Sequence, residues 1–486
     1  DESSVKPEVL SKWYELELNM KGILLNATKK VRNQIFESGD EELMQIFSEW
    51  TLARKRIADL QSLTNEEKGN SQSLLDSLSN SIAHLEKDLS RKSAKFNSSF
   101  KVEELSFASI SDALLPNECS IEITRTEIND EHVYTALVVK NGAPYPEFVY
   151  IGKGEQMDAK GFKQYKNAIA YKVEDTKSFD NYWKPIHEKI AHQGITKIYF
   201  APDGVYHKIG LTTLLNTQTG QYLLDEFSVV QLTSTKDILD VKKRVVDTDI
   251  SGHEVLLVGR PSYKIGSLPA ATGASSNRSF NMSNISDLPG TEQEINEISK
   301  VLDKSKISYT KLLGDSSTEN KIKTSLNSDV IHIATHGFFI DKSHSKGGLY
   351  LDPMLYSGIL LAGVSNKDIK KTSGEDGILT AFEIMNLEFS GNDMVVLSAC
   401  ETGGGEVASG EGIYGLQRAF FVAGTKSLVM SLWKVDDQAT KDLMVNFYKS
   451  YLKSGNKREA FAEAQKKVKK KYKDPIYWGA FVMVGG

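Results

Sequence analysis

The chain has 486 residues, 40% of them hydrophobic and 25% charged, with 59 Lys+Arg against 64 Asp+Glu. That length exceeds one ordinary domain and predicts two or three units. A net charge of −5 excludes a global polycation built for nucleic acid, and two cysteines exclude a disulfide framework or a four-thiolate zinc site. The first residues, Asp1-Glu2-Ser3-Ser4-Val5, are polar and acidic, unlike a signal peptide. The most apolar stretch, 419–433, is too short for a bilayer and carries Lys426. The expectation is a soluble, cytoplasmic chain with no membrane partner. The sequence does not begin with Met, so it reads as a fragment or a trimmed chain.

Residues 5–100 read as helices. Leu43, Ile46, Trp50, Ile57 and Leu60 recur at helical spacing, and Leu75, Leu78, Ile82, Leu85 and Leu89 step by three and four. Ser38-Gly39-Asp40 separates the first helix from the second. Thr64 with Glu67 fits a capping box and places a helix start near Asn65; the alternative is a loop over 66–73 with the start near Ser71. Region 1–103 is then a helical hairpin or bundle, or the end of a helical repeat array that binds partners.

From 104 the pattern changes. Ser120-Ile121-Glu122-Ile123-Thr124 alternates as a half-buried strand does, and 133–140 and 148–151 are further strands. Residues 162–190 read as mostly helix. Lys197-Ile198-Tyr199-Phe200-Ala201 is a short strand that stops at Pro202-Asp203-Gly204, and 229–232 is another. The units expected are 1–103, 104–250 and 251–486. In the last, 254–258, 330–334, 393–399 and 427–432 read as strands; 292–302, 411–423, 436–451 and 458–472 read as helices. Apolar strands alternating with helices predict an α/β fold with a parallel sheet covered on both faces. Ligand and catalytic sites in such sheets lie at the C-terminal strand ends.

Two strand ends carry chemistry. One is Val330-Ile331-His332-Ile333-Ala334-Thr335-His336-Gly337; the other is Val395-Val396-Leu397-Ser398-Ala399-Cys400, followed by Glu401-Thr402-Gly403-Gly404-Gly405. Alone, a cysteine or a histidine ending an apolar strand is more often a core residue. Together, at two strand ends of one sheet and flanked by glycines, His336 and Cys400 read as a dyad for acyl transfer. A thiol needs a nearby base to be a strong nucleophile at neutral pH, and an imidazole supplies one. The pair is 64 positions apart (400 − 336), a gap that adjacent parallel strands close. The N–H groups of Gly337 and Cys400 are the natural oxyanion donors. A helix starting near Gly410-Glu411-Gly412 would add its dipole.

Other motifs read more plainly. His332 and His336 form an H-x-x-x-H pair, but Ile333 stands where a zinc protease has glutamate, so no metal is expected. No Gly-Lys-Ser/Thr follows the glycines at 403–405, so neither nucleotide nor other cofactor is expected. Cys119 follows Pro116-Asn117-Glu118 with no local histidine and reads as structural. Lys466, Lys467, Lys469, Lys470, Lys471 and Lys473 read as a solvated helix face, the alternative being a nucleic-acid patch.

The segment 395–403 resembles the cysteine motif of CHAT-domain proteins, the caspase-like domains found with tetratricopeptide repeats. Further matching motifs are Ala201-Pro202-Asp203-Gly204, Leu288-Pro289-Gly290-Thr291, Ala334-Thr335-His336-Gly337-Phe338-Phe339, Gly410-Glu411-Gly412-Ile413-Tyr414-Gly415-Leu416, Arg418-Ala419-Phe420, Ala423-Gly424, Ser431-Leu432-Trp433-Lys434-Val435-Asp436-Asp437, Phe447-Tyr448 and Trp478-Gly479-Ala480-Phe481. The resemblance runs from 165 to 486. It implies a caspase- or separase-type cysteine endopeptidase with a parallel-rich sheet, His336 as general base and acid, and Cys400 as nucleophile. It also implies that 104–250 is a degenerate caspase-like lobe and that repeats lie upstream of Asp1. Ser398-Ala399-Cys400-Glu401-Thr402 departs from the Gln-Ala-Cys-Arg-Gly type of true caspases, so cleavage after Asp is not carried over.

Candidate selectivity loops are 341–371 and 401–411. Asp352, Glu401 and Asp436 are candidate substrate-binding residues, with solvation or helix capping as the ordinary role of such carboxylates, Asp437 included. Residues 270–286 are rich in Ser, Asn and Gly and suit a surface loop open to self-cleavage. Related bacterial proteins imply a protein substrate such as a gasdermin or other effector in antiviral defence, and a regulatory partner acting through the N-terminal helices. The alternative is a non-catalytic interaction scaffold.

Overall fold

The computed structural model describes residues 6–22, 38–61, 71–97, 105–191, 193–244, 250–264, 285–339, 353–355, 357–365, 375–399, 406–408 and 412–486, with positions 25, 29, 32, 35 and 36. The N-terminal part includes the helices α1 (Pro7–Met20), α2 (Glu41–Gln61) and α3 (Ser71–Asn97), and the described positions 25, 29, 32, 35 and 36 are also helical. The start at Ser71 is the later of the two expected; Thr64 and Glu67 lie outside the described residues. α2 and α3 pack on each other. α1 leaves them: Leu10, Tyr14 and Leu18, one stripe at a spacing of four, are buried against Leu137, Val139, Tyr199 and Leu232 of the following α/β region.

After α4 (Phe107–Ala113), strands β1 (Glu118–Ile128), β2 (Glu131–Lys140) and β3 (Glu147–Lys153) form an antiparallel meander. The expected helix over 162–190 is three pieces: α5 (Phe162–Tyr171), α6 (Ser178–Tyr182) and α7 (Lys184–Ile190). α5 ends in left-handed Lys172, and Pro185 stands in the first turn of α7, where a missing N–H does no harm. Next come β4 (Lys197–Ala201), a small hairpin of β5 (Leu215–Asn216) and β6 (Gln221–Tyr222), and β7 (Ser228–Gln231). The C-terminal half supplies β8 (Glu254–Pro261), α8 (Pro289–Ser305), β9 (Ser308–Gly314), β10 (Val330–Ala334), β11 (Gly337–Phe339), β12 (Ser357–Leu360), β13 (Ile378–Thr380) and β14 (Met394–Leu397). It ends with β15 (Glu406–Ala408), β16 (Gly412–Tyr414), α9 (Leu416–Ala423), β17 (Ser427–Ser431), α10 (Asp437–Ser454), α11 (Lys457–Lys471) and β18 (Phe481–Gly485).

Eleven strands make one sheet in the order β3-β2-β1-β4-β7-β18-β17-β14-β10-β8-β9. Seven of its ten neighbour pairings are parallel; β3–β2, β2–β1 and β18–β17 are antiparallel. The sheet is therefore mixed with a parallel majority, and it runs unbroken across the expected boundary at 250/251. β18 makes the join, parallel to β7 and antiparallel to β17.

Strand alternation explains the two covers. Leu256, Ile331, Val395 and Leu428 face α9 and the segment 381–389. Their neighbours Val255, Val330, Val396 and Val429 face α8, α10 and α11. The expected helix over 411–423 is shorter, since Gly412-Ile413-Tyr414 is a strand paired with β15. Gly412 and Gly415 disfavour a helix by about 1 kcal/mol each, and Ile413-Tyr414 suits a strand. The dipole expected near residue 410 therefore begins at Leu416 instead. No helix among the described residues is long and apolar enough to cross a membrane.

Candidate active site

β10 and β14 are parallel neighbours in a register of constant offset: Val330 opposite Met394, Ile331 opposite Val395, His332 opposite Val396, Ile333 opposite Leu397. The ladder continues with Ser398 N–H donating to the Ile333 carbonyl at 2.9 Å. The offset is 64, the same number that separates His336 from Cys400. Cys400 itself lies outside the described residues, as do Glu401 and Asp352.

His336 sits two residues beyond β10, half-exposed, and is held on three sides. Its Nε2 lies 2.8 Å from the Ser286 carbonyl. A carbonyl only accepts, so Nε2 carries a proton, and in the neutral imidazole the lone pair then lies on Nδ1. The Tyr263 ring lies 5.4 Å from the imidazole, centroid to centroid. The Tyr263 hydroxyl accepts the backbone N–H of His336 and donates to Thr335 Oγ1 at 3.0 Å. Thr335 Oγ1 in turn donates to the Leu360 carbonyl at 2.6 Å.

Gly337 opens β11, which pairs with β12. Leu360 N–H donates to the His336 carbonyl, making 336/360 a bonded pair. Bonded and non-bonded pairs alternate in an antiparallel ladder, so 337/359 is non-bonded and the Gly337 N–H faces away from β12.

Beneath the strand ends lies a buried polar network that the sequence did not advertise. His332, wholly buried, meets Glu294 Oε1 through Nε2 at 2.9 Å and the Tyr448 hydroxyl through Nδ1 at 3.2 Å. Ser398 Oγ donates to Glu294 Oε2 at 3.0 Å. His332 thus faces α8 and α10, and does not join His336 as a ligand pair. Among the described residues no group of three His, Cys, Asp or Glu is placed to hold a metal ion.

A cavity of about 40 Å³ opens beside this network, lined by Glu294, Thr335, Ser398 and Ala399, with Trp433 and Asp437 among its walls. Asp436, a candidate substrate contact with helix capping as its ordinary role, takes that ordinary role: it caps α10 by accepting the N–H groups of Gln438 and Ala439 at 3.0 Å, and Asp437 is the one at the cavity.

The corresponding strand ends of the N-terminal half are filled from within. Lys21, just past α1, donates to Glu122 Oε1 at 2.5 Å and to the Ile123 carbonyl at 2.9 Å. Glu122 Oε2 accepts from Thr235 N–H and Oγ1 at 2.8 and 2.6 Å. Cys119 is buried in β1, and burial pushes its thiol up to about 12, so it stays protonated at neutral pH. In the lysine run, Lys467, Lys469 and Lys471 pair with Glu463, Asp225 and Asp442. The segment 270–286 lies outside the described residues except for Ile285 and Ser286, and the glycines 403–405 lie outside them entirely.

The class is defined by a mixed α/β sheet flanked by helices, with His336 just past β10 and Ala399 just past its parallel neighbour β14. Residues 178–486 match the CHAT domain model. The chain belongs to the CHAT domain family. Tetratricopeptide repeat protein 28 of mouse is 25% identical over 216 residues, which cover 41% of this chain and 8% of that protein. Its human counterpart is 23% identical over 308 residues, covering 58% and 12%. The chain spans about a tenth of the length of these curated relatives. Among solved structures, the Arg-specific cysteine proteinase gingipain R of Porphyromonas gingivalis aligns at 13% identity and TM-score 0.35, over 68% of this chain and 74% of that one. The separase–securin complex of Saccharomyces cerevisiae aligns at 9% identity and TM-score 0.42, over 90% and 35%.

Proposed function

We propose that this chain is a regulated cysteine endopeptidase in which His336 activates Cys400. The observation that supports this reading is the constant offset of 64 between β10 and β14, which is also the separation of His336 from Cys400. In this reading Nδ1 of His336 takes the thiol proton, while Nε2–H stays on the Ser286 carbonyl. The thiolate attacks the scissile carbonyl carbon, and the resulting oxyanion is met by the N–H groups of Gly337 and Cys400. The imidazolium then protonates the leaving amine. Water hydrolyses the thioester by the reverse sequence and releases the second product.

The cavity beside Thr335 and Ala399 receives the side chain preceding the scissile bond. Glu294 and Asp437 line it, and there is no Lys or Arg among its described lining residues, which favours a Lys or Arg over an Asp in the substrate. Asp352 and Glu401 remain proposed contacts from the flanking loops. The substrate is a protein, in the bacterial case an effector such as a gasdermin processed in the cytoplasm during defence. A regulatory partner acts through the helices before residue 104.

The test is labelling of the full chain, with its partner present, by a thiol-directed peptide electrophile, together with sequencing of newly cleaved termini. Label on Cys400, and cleavage lost in Cys400→Ala and His336→Ala, support the reading. Normal turnover by Cys400→Ala refutes it; partner binding with neither label nor cleavage supports a scaffold.

A further inference from the structure

We propose that Arg260 is a positioning residue that holds the Ser286 carbonyl on His336 and so fixes which imidazole nitrogen is basic. The inference rests on the peptidase reading for its consequence but not for its geometry. Arg260 ends the straight part of β8, the strand beside β10, and does so at a left-handed φ of +40°. A side chain rarely adopts that conformation unless its surroundings require it. Here the backbone N–H donates to Thr291 Oγ1 at 2.9 Å. The guanidinium then grips Asp287 with two parallel bonds, Nε to Oδ1 at 3.0 Å and Nη2 to Oδ2 at 2.7 Å. Its remaining Nη1 donates to Glu292 Oε2 at 2.6 Å.

Asp287 is the residue after Ser286. On the other side Ile285 packs with Phe338 against the cluster of Tyr263, Leu360, Val364 and Ile378. The Ser286 carbonyl is therefore clamped between an apolar anchor and an ionic one, both reaching back to the exit of β8. The fork geometry is specific to arginine; a lysine supplies the charge without the two parallel donors. Arg260 and Asp287 are 41% and 57% exposed, and exposed ion pairs contribute little to global stability. A pair with small structural worth, held in a strained backbone and aimed at the residue whose carbonyl meets the histidine, points to orientation as its role. Hydrogen-bond partners of this kind set the tautomer and basicity of a functional imidazole.

The experiment uses the full chain with 15N-labelled histidine, in wild type, Arg260→Gln, Arg260→Lys, Asp287→Asn and the exchange Arg260→Asp/Asp287→Arg. The side-chain nitrogen shifts of His336, assigned with His336→Gln, report the tautomer. The rate of Cys400 alkylation by iodoacetamide is measured from pH 5 to 9, with Cys400→Ala as the blank. Wild type is expected to hold the Nε2–H form. Arg260→Gln and Asp287→Asn should mix the tautomers and slow alkylation at pH 6.5 by about tenfold, with unchanged melting temperature. Arg260→Lys should fall between, and the exchanged pair should recover. An unchanged tautomer in both single variants overturns the proposal. A tautomer that responds to Arg260 beside a wild-type thiol that titrates like a free cysteine upholds it and overturns the peptidase reading instead.

Discussion

Replacing His332 by leucine perturbs the network under the strand ends in a way whose size follows from its geometry. His332 is fully buried and Glu294 nearly so, at 0% and 2% exposure. The substitution leaves Glu294 with Ser398 as its remaining hydrogen-bond partner and strips the Tyr448 hydroxyl of His332 Nδ1. Leaving a buried polar group without one of its partners costs about 1–3 kcal/mol, and the near-complete burial of Glu294 puts this case at about 3 kcal/mol. Glu294→Leu alone leaves His332 with Nε2 orphaned, at about 2 kcal/mol. The double variant removes both polar partners together and should cost less than the two single costs combined, with a coupling of about 3 kcal/mol. Urea unfolding at pH 7, followed by tryptophan fluorescence, measures all three. Additivity within about 0.5 kcal/mol would show that the two groups do not interact, and the account of the network would fall.

Three further outcomes are expected. His207 is buried with neither ring nitrogen hydrogen-bonded, and burial pushes its pKa down to about 3. Below pH 6.5 the unfolded chain takes a proton that the folded protein refuses until about pH 3, so stability falls as the pH falls through that window. Between pH 7 and pH 5 wild type should lose about 2 kcal/mol more than His207→Phe by denaturant titration, and equal losses would refute the assignment. Lys323 stands among Glu319, Glu375 and Glu383 at 2.8–3.3 Å; Lys323→Met should cost about 3 kcal/mol by the same measurement, and a neutral result would mean the carboxylates carry protons. Peptide libraries should show Lys or Arg before the cleaved bond, with Asp437→Asn weakening KM more than kcat; cleavage after Asp would remove the cavity from the account of specificity.

The parts of the fold legible in the sequence are those whose signal is local. Lys197–Ala201 and Val330–Ala334 are short apolar runs with clear stops, and both are strands at those bounds. His336 was legible for the same reason, as the polar residue just beyond such a run. What escaped depends on distant partners. Ser308–Gly314 is an edge strand with mostly polar, half-exposed side chains, so its pairing with β8 leaves little hydrophobic pattern. Glu294 sits on one face of an ordinary amphipathic helix, and only the register of β10 and β14 makes it a partner of His332 and Ser398. The Ser286 carbonyl carries no side-chain signature at all. Gly412–Tyr414 failed because a helix that begins four residues later was extended backward over glycines.

The placement of β18 has a consequence for synthesis. Until residues 481–485 leave the ribosome, β7 has an unpaired edge and β17 has no antiparallel partner. The gap from Gln231 to Phe481 is 250 positions, tens of seconds at about 5–20 residues per second. The β7 edge waits through that whole interval and the β17 edge through its last 50 positions (481 − 431), and unpaired edges of this kind recruit chaperones or invite aggregation. The sheet whose strand β10 leads to His336 is therefore closed only when β18 pairs with β7 and β17.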